Sequence, residues 1–254
     1  MMARTCAIVV AGGVGRRFGR ADGKQLVNVA GRPLMTWSLA AFDACEPVQH
    51  IVVVAPADRA DEMRVRAVDP FGFETPVTFA AAGATRQDST RAGLAAVPAG
   101  MDVVAVHDCA RPLVRTATIE AALLALDADP QLDGVVCGQP AIDTLKQVGG
   151  GAGAGAGGAA GGGAGDAAAR GMALIETTPD RSRYWTVQTP QVFRTAALRR
   201  AFELADAEGF VGTDDASLVE RAGGRVACLE SPRDNLKVTV PEDLPLVEAL
   251  LRAR

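Results

Sequence analysis

The stretch Ala7-Ile8-Val9-Val10-Ala11-Gly12-Gly13-Val14-Gly15-Arg16-Arg17-Phe18-Gly19-Arg20-Ala21-Asp22-Gly23-Lys24-Gln25 decides how the rest of the chain is read. Its first residues are apolar without alternation and end at a glycine loop, the pattern of a strand buried on both faces that runs into a ligand-binding turn. Outward from it, Ile51-Val52-Val53-Val54, Val77-Thr78-Phe79, Val103-Val104-Ala105-Val106 and Val135-Val136 are further short apolar runs rich in β-branched residues. Between the first two, Pro33 stands where a first helical turn tolerates it, and Leu34, Trp37, Ser38, Ala41 and Phe42 follow at helical spacing. Residues 86–97, 116–127, 195–207 and 242–251 supply further helical patterns. Strands alternating with helices predict an α/β fold with a doubly wound, mostly parallel sheet and a ligand cleft at the carboxyl ends of the strands.

A length of 254 residues allows one large domain or two small ones, and 48% hydrophobic composition is enough for a core. Lys and Arg number 26 against 30 Asp and Glu, a net charge of −4, and no basic tract suggests a nucleic-acid partner. Cys6, Cys45, Cys109, Cys137 and Cys228 are widely spaced and form no C-x-x-C, and only two histidines are present, so structural thiols in a reducing cytoplasm are expected rather than a zinc site. No apolar run approaches the roughly 18 residues of a membrane span, and the first apolar stretch stops at a glycine-arginine loop where a signal peptide needs a cleavage site. A cytoplasmic protein with no membrane contact is the expectation.

Residues 149–165 are eleven glycines and six alanines, which bury too little surface to offset their ordering entropy. The flanks 141–148 and 172–178 read as two short strands. A hairpin arm over 141–181 with this flexible insert as its tip is therefore expected within a single domain spanning 1–254, in preference to a domain boundary.

The glycines of the opening loop permit unusual backbone angles, successive N–H groups there can form an anion nest, and arginine and lysine bring positive charge to the same point, so the natural occupant is a polyphosphate. Two phosphate motifs fail. Gly13-x-Gly15 is followed by Gly19 rather than by a glycine at 18, and no acidic residue closes the second strand, which argues against a dinucleotide fold. Phe18 stands where the first glycine of a P-loop belongs, and Gln25 follows Lys24 in place of a hydroxyl residue. What remains is G-x-G-x-R followed by Lys24, the loop found after the first strand of sugar-nucleotide pyrophosphorylases and related nucleotidyltransferases.

Downstream, Ala82-Gly83-Ala84-Thr85-Arg86-Gln87-Asp88-Ser89, Val106-His107-Asp108-Cys109-Ala110-Arg111-Pro112, Thr189-Pro190-Gln191-Val192-Phe193, Thr213-Asp214-Asp215-Ala216-Ser217 and Asp234-Asn235-Leu236-Lys237-Val238-Thr239 appear in order. With the first loop they resemble the 2-C-methyl-D-erythritol 4-phosphate cytidylyltransferase family over nearly the whole chain apart from the insert. The resemblance implies a Rossmann-like nucleotidyltransferase sheet with a protruding β-hairpin arm, and transfer of CMP from CTP to methylerythritol phosphate with release of pyrophosphate, assisted by Mg²⁺. It further implies that Ala11, Gly12, Gly13 and Gly15 line the CTP site, that Gly83 and Ser89 contact its cytosine end, and that Asp108 faces the metal and the phosphates. Arg17 and Lys24 would stabilise the transition state, and Lys237 with Arg181 would position the acceptor. Thr144, Arg181 and Arg111 would serve a partner's site in a homodimer formed through the arm, and Thr213 would contact the acceptor. Ribitol 5-phosphate is the alternative acceptor; an NAD-binding oxidoreductase or a non-catalytic interaction protein are remote readings from other classes.

The chemistry suits these residues. A phosphomonoester with a second pKa near 6 is already largely ionised at neutral pH, so no general base is required. The barrier is electrostatic, and fixed cations with Mg²⁺, which needs only one or two carboxylates beside substrate phosphates, lower it. His107 is expected to be a packed structural residue, and Tyr184 and Trp185 to pack in the arm or an interface. Asp214 and Asp215 fit either helix-dipole complementation or support of the substrate site. Gly23, where the family has proline, predicts a looser turn before Lys24. Ala82 and Cys109 are the other departures.

Overall fold

The computed structural model describes residues 3–13, 18, 23–149 and 172–254. Gly15 and Arg17, and all of the glycine-alanine run beyond Gly149, lie outside the described residues. The chain divides into two compact units, one formed by Met1–Gly138 with Val187–Arg254 and the other by Gln139–Thr186.

In chain order the elements are β1 (Thr5–Val10), the short strands β2 (Asn28–Val29) and β3 (Arg32–Pro33), α1 (Leu34–Asp43), β4 (Val48–Ala55), α2 (Ala60–Ala67), β5 (Val77–Ala81), α3 (Arg86–Ala95), β6 (Val103–Asp108), α4 (Thr116–Ala128) and β7 (Gly134–Pro140). After β8 (Gln147–Val148) and β9 (Ile175–Thr177) come β10 (Trp185–Arg194), α5 (Thr195–Glu208), α6 (Asp215–Arg221), β11 (Val226–Glu230) and α7 (Leu244–Arg252). Seven strands form one sheet in the order β11-β7-β10-β6-β1-β4-β5. β1 runs parallel to β4 and β6, β4 to β5, and β7 to β11, while β10 is antiparallel to β6. The mostly parallel α/β sheet expected from the apolar runs is present.

Those runs lack alternation because both sheet faces are covered. Ala7, Val9, Ile51, Val53, Val103 and Ala105 pack on one face with Met35, Leu39, Phe42, Ile119 and Leu126 from α1 and α4. Cys6, Ile8, Val52, Val54, Val104 and Val106 pack on the other with Leu94, Leu198, Phe202 and Leu218 from α3, α5 and α6. At about 1.5–3 kcal/mol for each large apolar side chain removed from water, these two layers dominate the stability of the sheet. Pro33 lies one residue outside the first helical turn: it pairs with Asn28 in β3 and stands at the N-cap of α1, because the chain is still extended there.

The chain order departs from one edge to the other at β1. β4 and β5 lie on one side of it and β6 on the other, with Val10 and Asp108 opposite each other at the strand ends. Such a switch point leaves a crevice at the carboxyl ends of the strands, where no crossover covers them.

In the smaller unit, β8 and β9 form an antiparallel pair. Ile142, Leu174, Ile175, Tyr184 and Trp185 are all exposed there.

Candidate active site

A cleft of about 600 Å³ occupies the switch point, lined among others by Ala11, Gly12, Gly13, Lys24, Gly83, Arg86, Ser89, Asp108 and Lys237. Each side of it is held by a local device. On the β1 side, Ala11 N–H donates to Val54 O at 2.8 Å, continuing the ladder one residue past the strand. The buried Gln25 then donates its amide Nε2 to the carbonyls of Ala11 and Gly13 at 2.6 and 2.7 Å. Gly12 has to be glycine, since a Cβ there would stand 2.4 Å from the Cβ of Ala82. Gly23 has φ +65°, a conformation proline cannot adopt. A Cβ at Gly23 would also stand 2.3 Å from Gln25 Oε1, so glycine suits this position just before Lys24.

On the β5 side, Thr85 caps α3 in a reciprocal box: its hydroxyl accepts from Asp88 N–H at 3.0 Å, and the Asp88 carboxylate accepts from Thr85 N–H at 3.1 Å. Ser89 Oγ donates to Thr85 O at 2.9 Å and accepts from Gly83 N–H at 3.2 Å, so the buried serine shapes the 83–85 turn.

The centre of the cleft is ionic. Asp108 ends β6, and its carboxylate meets Lys237 Nζ at 2.5 Å and Arg86 Nε at 3.4 Å. Arg86 also reaches Asp215 at 2.9 Å. Burial opposes ionisation of Asp108, but the Lys237 ammonium and the Arg86 guanidinium outweigh it and hold the carboxyl at about 2. Asp215 is driven the other way, upward, because burial outweighs the attraction of Arg86. Lys24 Nζ donates to Val238 O at 2.5 Å, which brings the turn after the glycine loop onto the loop that bears Lys237. Beside Asp108, burial pushes the Cys109 thiol up to about 12, so it lines the cleft as an unreactive thiol.

A shell of hydrogen bonds behind the cleft comes from the Thr189-Pro190-Gln191 segment of β10. Thr189 Oγ accepts from Asp108 N–H at 3.1 Å and bonds His107 Nδ1 at 3.1 Å. Gln191 donates to Asp214, the N-cap of α6, at 2.8 Å, and Asn235 donates to Thr189 O at 2.9 Å. Five segments that are far apart in sequence are in this way fastened around one carboxylate.

The residues singled out from sequence separate into groups. Ala11, Gly12, Gly13, Lys24, Gly83, Ser89, Asp108 and Lys237 line the one cleft. Arg111 and Thr213 do not line it. The Arg111 guanidinium turns inward and donates to Asn235 O at 2.8 Å, anchoring the loop that leads to Lys237. Thr213 is exposed in the turn before α6, beside the cap Asp214. Thr144 and Arg181 belong to the smaller unit, where Arg181 donates to Ile142 O and both residues are exposed. His107 is buried and structural. Asp214 is a helix cap, whereas Asp215 belongs to the ion-pair cluster. Arg86, Gln25 and Thr189 have essential places that sequence reasoning did not assign. Their only sequence signal was membership of the motif blocks.

Among the described residues no group of three or more His, Cys, Asp or Glu side chains is arranged to hold a metal ion, and no helix is long and apolar enough to cross a membrane.

The family model described as IspD, 2-C-methyl-D-erythritol 4-phosphate cytidylyltransferase, matches residues 5–155 and 164–253. The chain is 38% identical to the 2-C-methyl-D-erythritol 4-phosphate cytidylyltransferase of Syntrophotalea carbinolica over 245 residues, covering 96% of this chain and 94% of that protein. It is 37% identical to the enzyme of the same name from Geotalea uraniireducens, covering 98% and 97%. Its fold is similar to the crystal structure of 2-C-methyl-D-erythritol 4-phosphate cytidylyltransferase from Thermus thermophilus, with a TM-score of 0.70 and 30% identity over 99% of this chain and 100% of that one.

Proposed function

The chain belongs to the 2-C-methyl-D-erythritol 4-phosphate cytidylyltransferase family and transfers CMP from CTP to 2-C-methyl-D-erythritol 4-phosphate, and from this premise we propose that the cleft around Asp108 is where the transfer occurs. The observation that supports this most directly is that Arg86 and Lys237 meet on Asp108 in the cleft that the glycine loop and Lys24 also line. An anion nest next to mobile cations suits a triphosphate.

We assign the triphosphate to Ala11, Gly12 and Gly13, with Gly15 and Arg17 of the same loop, and the cytosine end to the turn built by Gly83 and Ser89. The acceptor phosphate attacks the α-phosphorus in line and pyrophosphate leaves. Lys24 and Arg17 offset the charge that grows on the α-phosphoryl oxygens, and Lys237 holds the incoming anion. No base is needed, because the acceptor phosphate is ionised near neutrality. The histidine beside the cleft agrees with this: burial pulls His107 down to about 4, so it is neutral and already hydrogen-bonded.

Asp108 is the residue that would hold Mg²⁺. A single ionised carboxylate at the centre of a phosphate site fits the way this ion is bound, through one or two carboxylates with the substrate phosphates completing its shell. When bound, the ion supplies charge neutralisation at the phosphates.

The exposed apolar side chains of the 139–186 unit support a homodimer formed through it, with Thr144 and Arg181 acting on the partner's acceptor site and Thr213, outside the cleft lining, meeting only the outer end of the acceptor. Arg111 then acts from behind, by anchoring the Lys237 loop. The five free cysteines, four of them buried, suit a reducing cytoplasm.

Pyrophosphate release from CTP and Mg²⁺, measured with methylerythritol phosphate and ribitol 5-phosphate in separate reactions, tests the assignment. Turnover is expected with the first acceptor; turnover with ribitol 5-phosphate alone would overturn the acceptor while leaving the reaction class.

A further inference from the structure

We propose that Asp215 is a positioning residue for the transfer, acting through Arg86 to fix the orientation of the Asp108 carboxylate and to tie the start of α6 to the nucleotide side of the cleft. The inference rests on the reading of the Asp108 cleft as the active site. Asp215 is the first residue of α6 and is 1% exposed; Arg86 is the first residue of α3. One guanidinium spans two carboxylates, with Nη1 on Asp215 at 2.9 Å and Nε toward Asp108 at 3.4 Å. The planar fork of arginine can do this with one rigid group, and lysine cannot.

The arrangement leaves little room for movement. The neighbouring Gln87 grips the segment before α6 from the same helical turn, donating to Phe210 O at 3.1 Å and accepting from Gly212 N–H at 3.0 Å. Asp214 is fixed by Ser217 N–H at 3.0 Å and by Gln191. Asp215 is therefore carried on a pinned helix start and holds Arg86 in one place.

Charge balance gives this a purpose. Two carboxylates, Asp108 and Asp215, face two cations, Arg86 and Lys237. Without the Asp215 charge, the full attraction of Arg86 would fall on Asp108 and draw its carboxylate out of its present orientation. A buried pair kept for stability alone has no such requirement, since apolar side chains of similar volume serve as well or better.

Asp215→Asn, Arg86→Lys, Asp108→Asn and the doubles with Asp108→Asn are tested in the full chain by steady-state kinetics, CTP calorimetry and thermal unfolding. Misplacement on the ångström scale predicts that Asp215→Asn lowers kcat about 10- to 100-fold while the KM for CTP changes by less than about 3-fold. In the Asp108→Asn background the same change should alter kcat by less than about 3-fold, because coupled residues are not additive. An equal loss in both backgrounds, or an unchanged kcat in Asp215→Asn, would overturn the proposal. Wild-type turnover by Asp108→Asn would remove the cleft reading together with it, whereas a damaged but uncoupled Asp108→Asn removes the Asp215 proposal alone. If Asp215→Asn does not fold, Arg86→Lys, which keeps the charge and loses the fork, carries the cycle with the same expected losses.

Discussion

His107 has no part in the transfer as proposed, but its burial makes it acid-sensitive. The Arg111 carbonyl can only accept, so the neutral ring carries its proton on Nε2 and donates it there at 3.3 Å, which leaves Nδ1 to accept from the Thr189 hydroxyl while that oxygen accepts from Asp108 N–H. Protonating Nδ1 would break that chain. The folded-state pKa of about 4 lies below the unfolded value of about 6.5, so unfolded chains bind a proton that folded ones refuse and stability falls as pH drops from about 6.5 to 4. The loss through this group should approach about 3 kcal/mol. Asp108 adds its own loss only below about pH 4, and Asp215, pulled upward by burial, works in the opposite direction. Urea unfolding at pH 7 and pH 4.5 checks this by comparison: the decline should be shallower in His107→Gln than in the unsubstituted chain, and equal slopes would show that the ring does not control it. At this scale the sequence was legible where one residue type implies its chemistry. The motifs placed the strand-end Asp108 and the loop Lys24 in one cleft, but Arg86 meeting Asp215 was not readable, because nothing local in either segment marks a partner so far along the chain.

At the level of elements, α3 joins the core to the cleft. Its Thr85 cap lines the cleft, and its other end lies so close to the sheet that a Cβ at Gly93 would stand 2.5 Å from Ile8 Cγ2 and 2.8 Å from Val54 Cγ2. Gly93→Ala gains helix propensity but overpacks this contact, with a net cost of about 1–3 kcal/mol. Thermal unfolding should show a Tm lowered by several degrees, at about 2–4 °C per kcal/mol for a chain of this size; an unchanged Tm would mean that the helix shifts freely on the sheet. The parallel strands were legible because continuous apolar runs leave few alternatives. The boundary of α1 was not, since a proline satisfies both the last extended residue and the first helical one. Gly23 has a left-handed φ that proline cannot adopt, a conformation that the residue type permitted but did not announce.

For the whole molecule, the composite-site proposal has a direct test. If Arg181 serves the partner's site, subunits carrying Arg181→Ala mixed with subunits carrying Lys24→Ala should regain activity that neither homodimer has, because each heterodimer holds one site with both residues intact. Absence of recovery in verified heterodimers would place Arg181 with its own chain. The seven-stranded order has a last implication. β7 and β10, which lead into and out of the 139–186 unit, are immediate neighbours in the sheet. Whatever is threaded between them starts and finishes at one spot, so chain can be added there without moving a strand. The fold thus has a natural docking port for foreign sequence, and an epitope or a reporter module spliced into the glycine-alanine run would leave the seven-stranded sheet undisturbed.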